Sequence, residues 1–437
     1  MEGKEVNKEL LQIFSAAVTA VQPERLIPQY LKLYEGKIQL GDEVIPETKI
    51  ENFFVAGAGK AAAAMSAEVE KVLGYRIKDG AVAIKAGQRM SLKYIRQVEA
   101  GHPVPDDNSV VAANEIVGAV KKAHRHDAII FLLSGGASSL MMDIPYGCSL
   151  QEIQTVFELL LKSGASIDEV NVVRKHLSEL KGGQLLRDVK SHHIFTFIIS
   201  DVIINNLSII GSGPTVPDPS TFADAMAILE KYELTKSIPP PVMNHLEKGA
   251  GKIIHDTLKE KDRIYNHCSN YIIGDNNMAL RAAAGQASAL GYETRIITST
   301  MSGDAEEAAK KWADDVLAHK SQKKYCLVAG GETTVKVTGS GKGGRNQQFA
   351  LAAGIALQHE PNISLLAAGT DGNDGPTDAA GAVVDHDTMA AARDKGLDAE
   401  KYLRNNDAYT FFDRSGGLLK TGPTQTNVMD IVVTLIN

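Results

Sequence analysis

Cysteine is scarce in this chain: Cys148, Cys268 and Cys326 stand far apart and are odd in number. A disulfide framework and a cysteine metal site are therefore not expected, and reduced thiols in a cytoplasmic protein are. No run of about 18 apolar residues occurs, and the charged stretch Met1 to Leu10 has no apolar signal core. Neither export nor membrane insertion is expected. Net basic charge is missing as well, since 46 Lys and Arg face 53 Asp and Glu to leave −7. That argues against nucleic acid or an anionic membrane surface as partner. Any anionic ligand must be held locally.

What is present is an ordinary globular composition, with 437 residues of which 44% are hydrophobic and 23% charged. The length suggests two domains. Glycine is in surplus: 39 are found where average usage gives roughly 31. Lys4 to Leu33 carries apolar residues at helical spacing (Leu10, Leu11, Phe14, Ala17, Val18, Val21) and reads as two opening helices. Short apolar runs at Phe53 to Ala56, Ala81 to Ile84, Ala128 to Leu133 and Ile194 to Ile199 then alternate with helical segments. This pattern predicts parallel βαβ units, with ligands beyond the carboxyl ends of the strands.

The pattern breaks at Leu234 to Gly251, around Pro239, Pro240 and Pro241, which predicts a boundary near 240. Residues 1–240 are expected to form a Rossmann-like three-layer α/β/α domain with a mainly parallel sheet. Residues 241–437 are expected to form an α/β domain with a mixed sheet, since Cys326 to Ala329 and Thr334 to Thr338 read as a hairpin. The active site is expected in the cleft between the two.

Chemistry-bearing residues cluster in the turns. Gly57-Ala58-Gly59-Lys60-Ala61-Ala62 fits a G-x-G-x-x-A fingerprint, in which amides at a helix start face an anion. The following strand ends in Lys85 where a ribose-binding acid is expected, and Ala61 follows Lys60 where a Walker A loop needs Ser or Thr. Lys60 is either a cation for phosphate or carboxylate or a solvated helix-start lysine. Ser134-Gly135-Gly136-Ala137-Ser138-Ser139 is either an anion-binding nest or a tight turn with a capping serine. His102, in the rigid loop Gly101 to Asp106, is as compatible with a structural role as with a catalytic one. Arg174 and Lys181 fall near one helical face, able to reach one anion or to form a solvated basic face. Asp201 ends a strand, as a Mg²⁺ ligand or a cap.

The second half is denser. Gly331, Glu332 and Thr333 are followed by Gly343, Gly344, Arg345 and Asn346 at a helix start, a pattern suited to clamping a polyphosphate. Asp371, Asp374 and Asp378 crowd a turn after another strand, and Asp371 and Asp374 join Asp201 as candidate metal ligands. Cations, glycine turns and strand-end carboxylates together point to phosphoryl transfer.

The motifs GAGKAA, GHPVPD, SGGASSL, NVVRKHLSELKGG, SDV, GSGPTVPDPST, GGETTV, GGRNQ, GTDGNDGPTDAAGA and GPTQTNV span nearly the whole chain. In these it closely resembles the class II glycerate kinases, the glycerate 2-kinase family whose C-terminal part is the MOFRL domain. The resemblance implies ATP- and Mg²⁺-dependent phosphorylation of D-glycerate on its 2-hydroxyl, with Lys60 and Arg345 as active-site residues; a monomer and a homodimer are both open. Asp201 and Asp371 are expected to orient Mg²⁺ or the attacking hydroxyl. The alternative, motivated by the G-x-G-x-x-A turn, is an NAD(P)-dependent hydroxypyruvate reductase.

Overall fold

In the computed structural model of this protein, residues 2–319 and 323–437 are described. The chain folds into two compact units, one formed by Leu26–Ile273 and the other by Met1–Arg25 together with Gly274–Asn437.

The first unit opens with a small antiparallel sheet of β1 (Leu31–Tyr34), β2 (Lys37–Leu40) and β3 (Glu43–Pro46). Its main sheet contains β4 (Phe53–Ala58), β5 (Ile77–Lys85), β6 (Arg96–Ala100), β7 (Ala128–Ser134), β8 (His193–Ile199) and β9 (Cys268–Gly274), in the order β6-β5-β4-β7-β8-β9. The pairs from β6 through to β8 are all parallel. Both faces of β4 and β7 are buried, which accounts for apolar runs that do not alternate with polar residues. Phe54, Ala56, Ile129, Phe131 and Leu133 share one core with Ala112, Ala113, Ile116 and Ala119 of the helix Asp107–Val120. The helix Ala62–Leu73 packs on β4, β5 and β7 from outside that core. The result is the expected three-layer arrangement.

The second unit contains β10 (Glu293–Met301), β11 (Tyr325–Gly331), β12 (Ile363–Gly369), β13 (Gly381–Asp385), β14 (Leu418–Leu419) and β15 (Asp430–Ile436), ordered β10-β11-β15-β12-β13-β14. β10 and β11 are parallel and the other pairs antiparallel, so this sheet is mixed. The mixing does not come from the expected hairpin. Thr334 makes only an isolated bridge to Asp304, and the antiparallel partner of β11 is β15, the last strand of the chain.

The units also divide elsewhere than at 240, for three packing reasons. The opening helix Glu2–Ala20 buries Leu10, Ile13, Phe14 and Ala17 and packs on the helix Asn276–Ala289 and on β15. The prolines start a helix, Pro240–Ala250, where a missing N–H costs nothing; its Val242 and Leu246 are buried with Val170, Val173 and Phe222. Finally, β9 extends the first sheet beside β8. Among the described residues no helix is long and apolar enough to cross a membrane.

One helix start in the second unit bears on the chemistry below. The helix Arg345–Leu357 has Gly344 at its N-cap, which offers no side chain. Asp374 takes over that task from across the turn. Its Oδ1 accepts from the Asn346 N–H at 3.0 Å and its Oδ2 from the Gln347 N–H at 2.8 Å. Burial pushes the Asp374 carboxyl up to about 7 despite these two amide hydrogen bonds, and the charge of Asp430 adds to the rise.

Two outcomes are expected. Phe131→Ala, at the middle of a strand buried on both faces, should cost about 3–5 kcal/mol in denaturant unfolding. Asp374→Asn presents an amide donor toward Asn346 or Gln347 and should cost about 1–3 kcal/mol. Because the folded carboxyl titrates near 7 and the unfolded one at its ordinary 3.8, the folded state binds more protons in that window, and this contribution is lost as pH rises. The stability gap between wild type and Asp374→Asn should therefore narrow from pH 4 to 7; a gap independent of pH contradicts the assignment.

Candidate active site

In the first unit three of the singled-out turns meet at the carboxyl end of the parallel sheet. β4 and β7 are neighbours, and their following turns touch: the Lys60 N–H donates to the Gly135 carbonyl at 2.9 Å, and the Ala61 N–H to Ser134 Oγ at 3.0 Å. This close approach explains two glycines. A Cβ on Gly57 would lie 2.3 Å from the Leu132 carbonyl oxygen, and one on Gly59, at φ +134°, 2.1 Å from Ser134 Oγ. Here the expectation is corrected. The Gly59, Lys60, Ala61 and Ala62 amides all donate within the protein, so the first turn positions the Lys60 side chain instead of cradling an anion through its backbone.

The serine turn is the hub. Gly136 adopts φ +85°, and a Cβ there would lie 2.8 Å from His102 Nε2 and 3.7 Å from Lys60 Cγ. Lys60, His102 and the turn Ser134 to Ser139 are thus one cluster, and His102, to which the sequence assigned no definite role, belongs to it. On the far side, Ser138 Oγ lies 2.9 Å from Ser212 Oγ, and Ser212 donates to Asn171 Oδ1 at 3.2 Å. Asn171 Oδ1 also accepts from Arg174 Nη1 at 2.8 Å. With the single Ser212 proton spent on Asn171, Ser138 is the donor to Ser212, so the Ser138 oxygen offers lone pairs to a ligand.

Arg174 and Lys181 do not act alike. Lys181 is fully buried, donates to the Met141 carbonyl at 3.0 Å and lies 3.7 Å from Asp143. Burial lowers its amine to about 8 although Asp143 opposes the shift, and nearby Arg174 lowers it further. Its ammonium is consumed internally and does not share an anion with Arg174. Asp201 lies half-buried in the turn directly after β8.

In the second unit Asp430, the first residue of β15, sits in register with Gly331 at the end of β11 and Gly369 at the end of β12. Arg345 grips it in a fork, Nε to Oδ2 at 2.6 Å and Nη2 to Oδ1 at 3.0 Å, and its Nη1 lies 2.7 Å from Glu332 Oε1. Burial by itself would disfavour the charged guanidinium, but Asp430 and Glu332 outweigh it and hold Arg345 protonated. Asn346 Nδ2 donates to the same Asp430 at 3.0 Å. Asp430 is the main residue that the sequence reading missed. Its only signal was a lone carboxylate opening the apolar run Ile431 to Ile436.

Two further expectations change in this unit. The helix start behind Gly343 and Gly344 is already capped by the Asp374 carboxyl group, and a Cβ on Gly344 would lie 2.4 Å from its Oδ1. Asp374 is therefore a helix cap and not a metal ligand, and Asn346 serves Asp374 and Asp430. The glycine-rich loop before the helix is tied down as well: the Thr338 and Gly339 N–H groups donate to Asn406 Oδ1, and the Lys342 N–H to Asp407 Oδ1. At the GGET turn, Glu332 is the ion-pair partner of Arg345 and Thr333 is buried. Gly331, at φ +141°, passes so close to the Met301 carbonyl oxygen that a Cβ would lie 2.2 Å from it. Asp371 is half-buried after β12 and accepts from the Asn373 N–H at 3.0 Å. Among the described residues no three His, Cys, Asp or Glu side chains are grouped to hold a metal ion.

Residues 9–247 match the family described as Domain of unknown function (DUF4147), and residues 325–430 match the MOFRL family. Glycerate 2-kinase of Pyrococcus horikoshii is 39% identical over 98% of this chain and 96% of its own length. A protein of Agrobacterium vitis named as a putative hydroxypyruvate reductase is 38% identical over 87% of this chain and 98% of its own. The crystal structure of glycerate kinase from Thermotoga maritima superimposes with a TM-score of 0.85 at 36% identity, covering 99% of this chain and 100% of that one. Family matches over both halves, full-length identity and a shared fold agree: this chain belongs to the class II glycerate kinase family, with a MOFRL domain as its C-terminal part.

Proposed function

We propose that the protein transfers the γ-phosphoryl group of ATP to the 2-hydroxyl of D-glycerate, giving 2-phosphoglycerate and ADP. The observation that carries this reading is the convergence of Lys60, His102 and the serine turn at the carboxyl end of a parallel sheet, where ligands of open α/β folds bind. It occurs in a chain of the glycerate kinase family. Lys60 in the first unit and Arg345 in the second are the cations that the family resemblance assigns to catalysis, and a kinase site must neutralise the charge of the migrating phosphoryl group. The acceptor glycerate is assigned to the turn Ser134 to Ser139.

Mg²⁺ in kinase sites takes one or two carboxylates and completes its shell with phosphates and water. The absence of a three-carboxylate cluster among the described residues is compatible with that; Asp201 after β8 in the first unit and Asp371 after β12 in the second are each a candidate for such a ligand. When bound, the ion shields charge on the transferred group. Within the protein, Arg345 pairs with Asp430 and Glu332, which fix its orientation and hold it protonated.

The name of the Agrobacterium relative motivates the reductase alternative. Against it, β5 ends in Lys85, with no acid there for a ribose hydroxyl. Incubation with ATP and D-glycerate should release ADP and a product that enolase consumes without a mutase, and NADH with hydroxypyruvate should give no loss of absorbance at 340 nm. Lys60→Ala should keep the thermal midpoint within a few degrees and lower kcat on the order of 10³-fold; full turnover in that variant removes the role assigned to Lys60.

A further inference from the structure

Arg174 is the unusual charge of the first unit. It lies in the last turn of the helix Ile167–His176 and is half-buried; partial withdrawal from water lowers its guanidinium, with no carboxylate opposing the shift. Among the described residues no Asp or Glu stands within ion-pair distance of it. Its contacts are one hydrogen bond to Asn171 Oδ1 at 2.8 Å and the Phe157 ring, 5.1 Å from its guanidinium carbon. The neighbouring cations are accounted for differently: Lys175 pairs with Asp218 at 3.3 Å and Lys181 lies 3.7 Å from Asp143. A guanidinium partly withdrawn from water gains from a carboxylate partner, because uncompensated desolvation is costly. Arg174 is instead held in place by neutral groups, with most of its five N–H donors uncommitted to any carboxylate.

Its hydrogen-bond chain leads into the cluster described above. Asn171 joins Arg174 to Ser212, and Ser212 joins Ser138 of the serine turn. We infer that Arg174 is the carboxylate anchor of the acceptor substrate, and so the residue that selects a hydroxy acid over a neutral polyol. This deepens the kinase reading and rests on it. One planar fork carrying one charge matches a carboxylate. A polyphosphate would call for a second cation, and the neighbouring lysines are spent, Lys181 on Asp143 and the Met141 carbonyl and Lys175 on Asp218. Phe157 and Asn171 fix the orientation of the fork, and Ser138 lone pairs are available to accept from a substrate hydroxyl.

The test uses the full-length protein and two equilibrium ligands without ATP, D-glycerate and its neutral amide, glyceramide. Wild type should bind D-glycerate more tightly than glyceramide. Arg174→Ala should weaken D-glycerate binding on the order of 100-fold, the loss expected for hydrogen bonds to a charged group, and leave glyceramide binding within about twofold. Arg174→Lys should fall between, since it keeps the charge and loses the fork. In turnover the KM for D-glycerate should rise while that for ATP stays put, and added guanidinium should partly restore Arg174→Ala. Equal losses for both ligands, or unchanged discrimination, overturn the anchor and leave Arg174 a structural residue. A wild-type protein that binds D-glycerate in this Arg174-dependent way but forms no ADP overturns the kinase reading and not the anchor.

Discussion

The contact between two backbone turns, Gly57 to Lys60 after β4 and Ser134 to Gly136 after β7, is the constraint on which the first unit's site depends. Two adjacent parallel strands end level with each other, and the turns that follow are near enough for one to donate an amide to the other's carbonyl and another to its serine hydroxyl. That closeness leaves no space for a Cβ at Gly57 or Gly59 and brings the Lys60 side chain beside Gly136. It also commits the helix-start amides, so positive charge at this place comes from a side chain. The glycines here serve proximity first and ligand contact second.

The second unit uses the same economy with different groups. A mixed sheet brings the first residue of β15 between the last residues of β11 and β12, and an aspartate at that point becomes the seat of Arg345. The neighbouring helix start, which would attract an external anion, is filled by Asp374. Both cations that the family resemblance singles out are therefore placed by neighbours that leave little freedom. Lys60 is placed by backbone proximity and Arg345 by a carboxylate fork.

Charge compensation separates these residues from Arg174. Arg345, Lys175 and Lys181 each have a carboxylate partner, and their electrostatic needs are met inside the protein. Arg174 has neutral partners only, and on the reading proposed above its counter-charge is the substrate carboxylate.

What could be read from the sequence and what could not divide along physical lines. Local signals sufficed for the α/β class and for the strands that end in functional turns, because buried parallel strands appear as unbroken apolar runs and the turns as glycine and serine clusters. They also sufficed for the family, since ordered motifs identify it without any geometry. The unit boundary was not legible: the proline triplet looks like a linker and is a helix start, and whether the opening helix joins the first or the last part of the chain depends on which apolar face accepts it. Nor was the true partner of β11 legible, because β15 lies about a hundred residues further on. Only the tertiary structure decided which amides and carboxylates are already satisfied, which ones removed Asp374 and Lys181 from the ligand-binding set, and that Asp430 and His102 belong beside Arg345 and Lys60. Residue type and spacing set the hydrogen-bonding and charge capacity of a group; whether that capacity is spent within the protein or left for a ligand depends on neighbours distant in the chain.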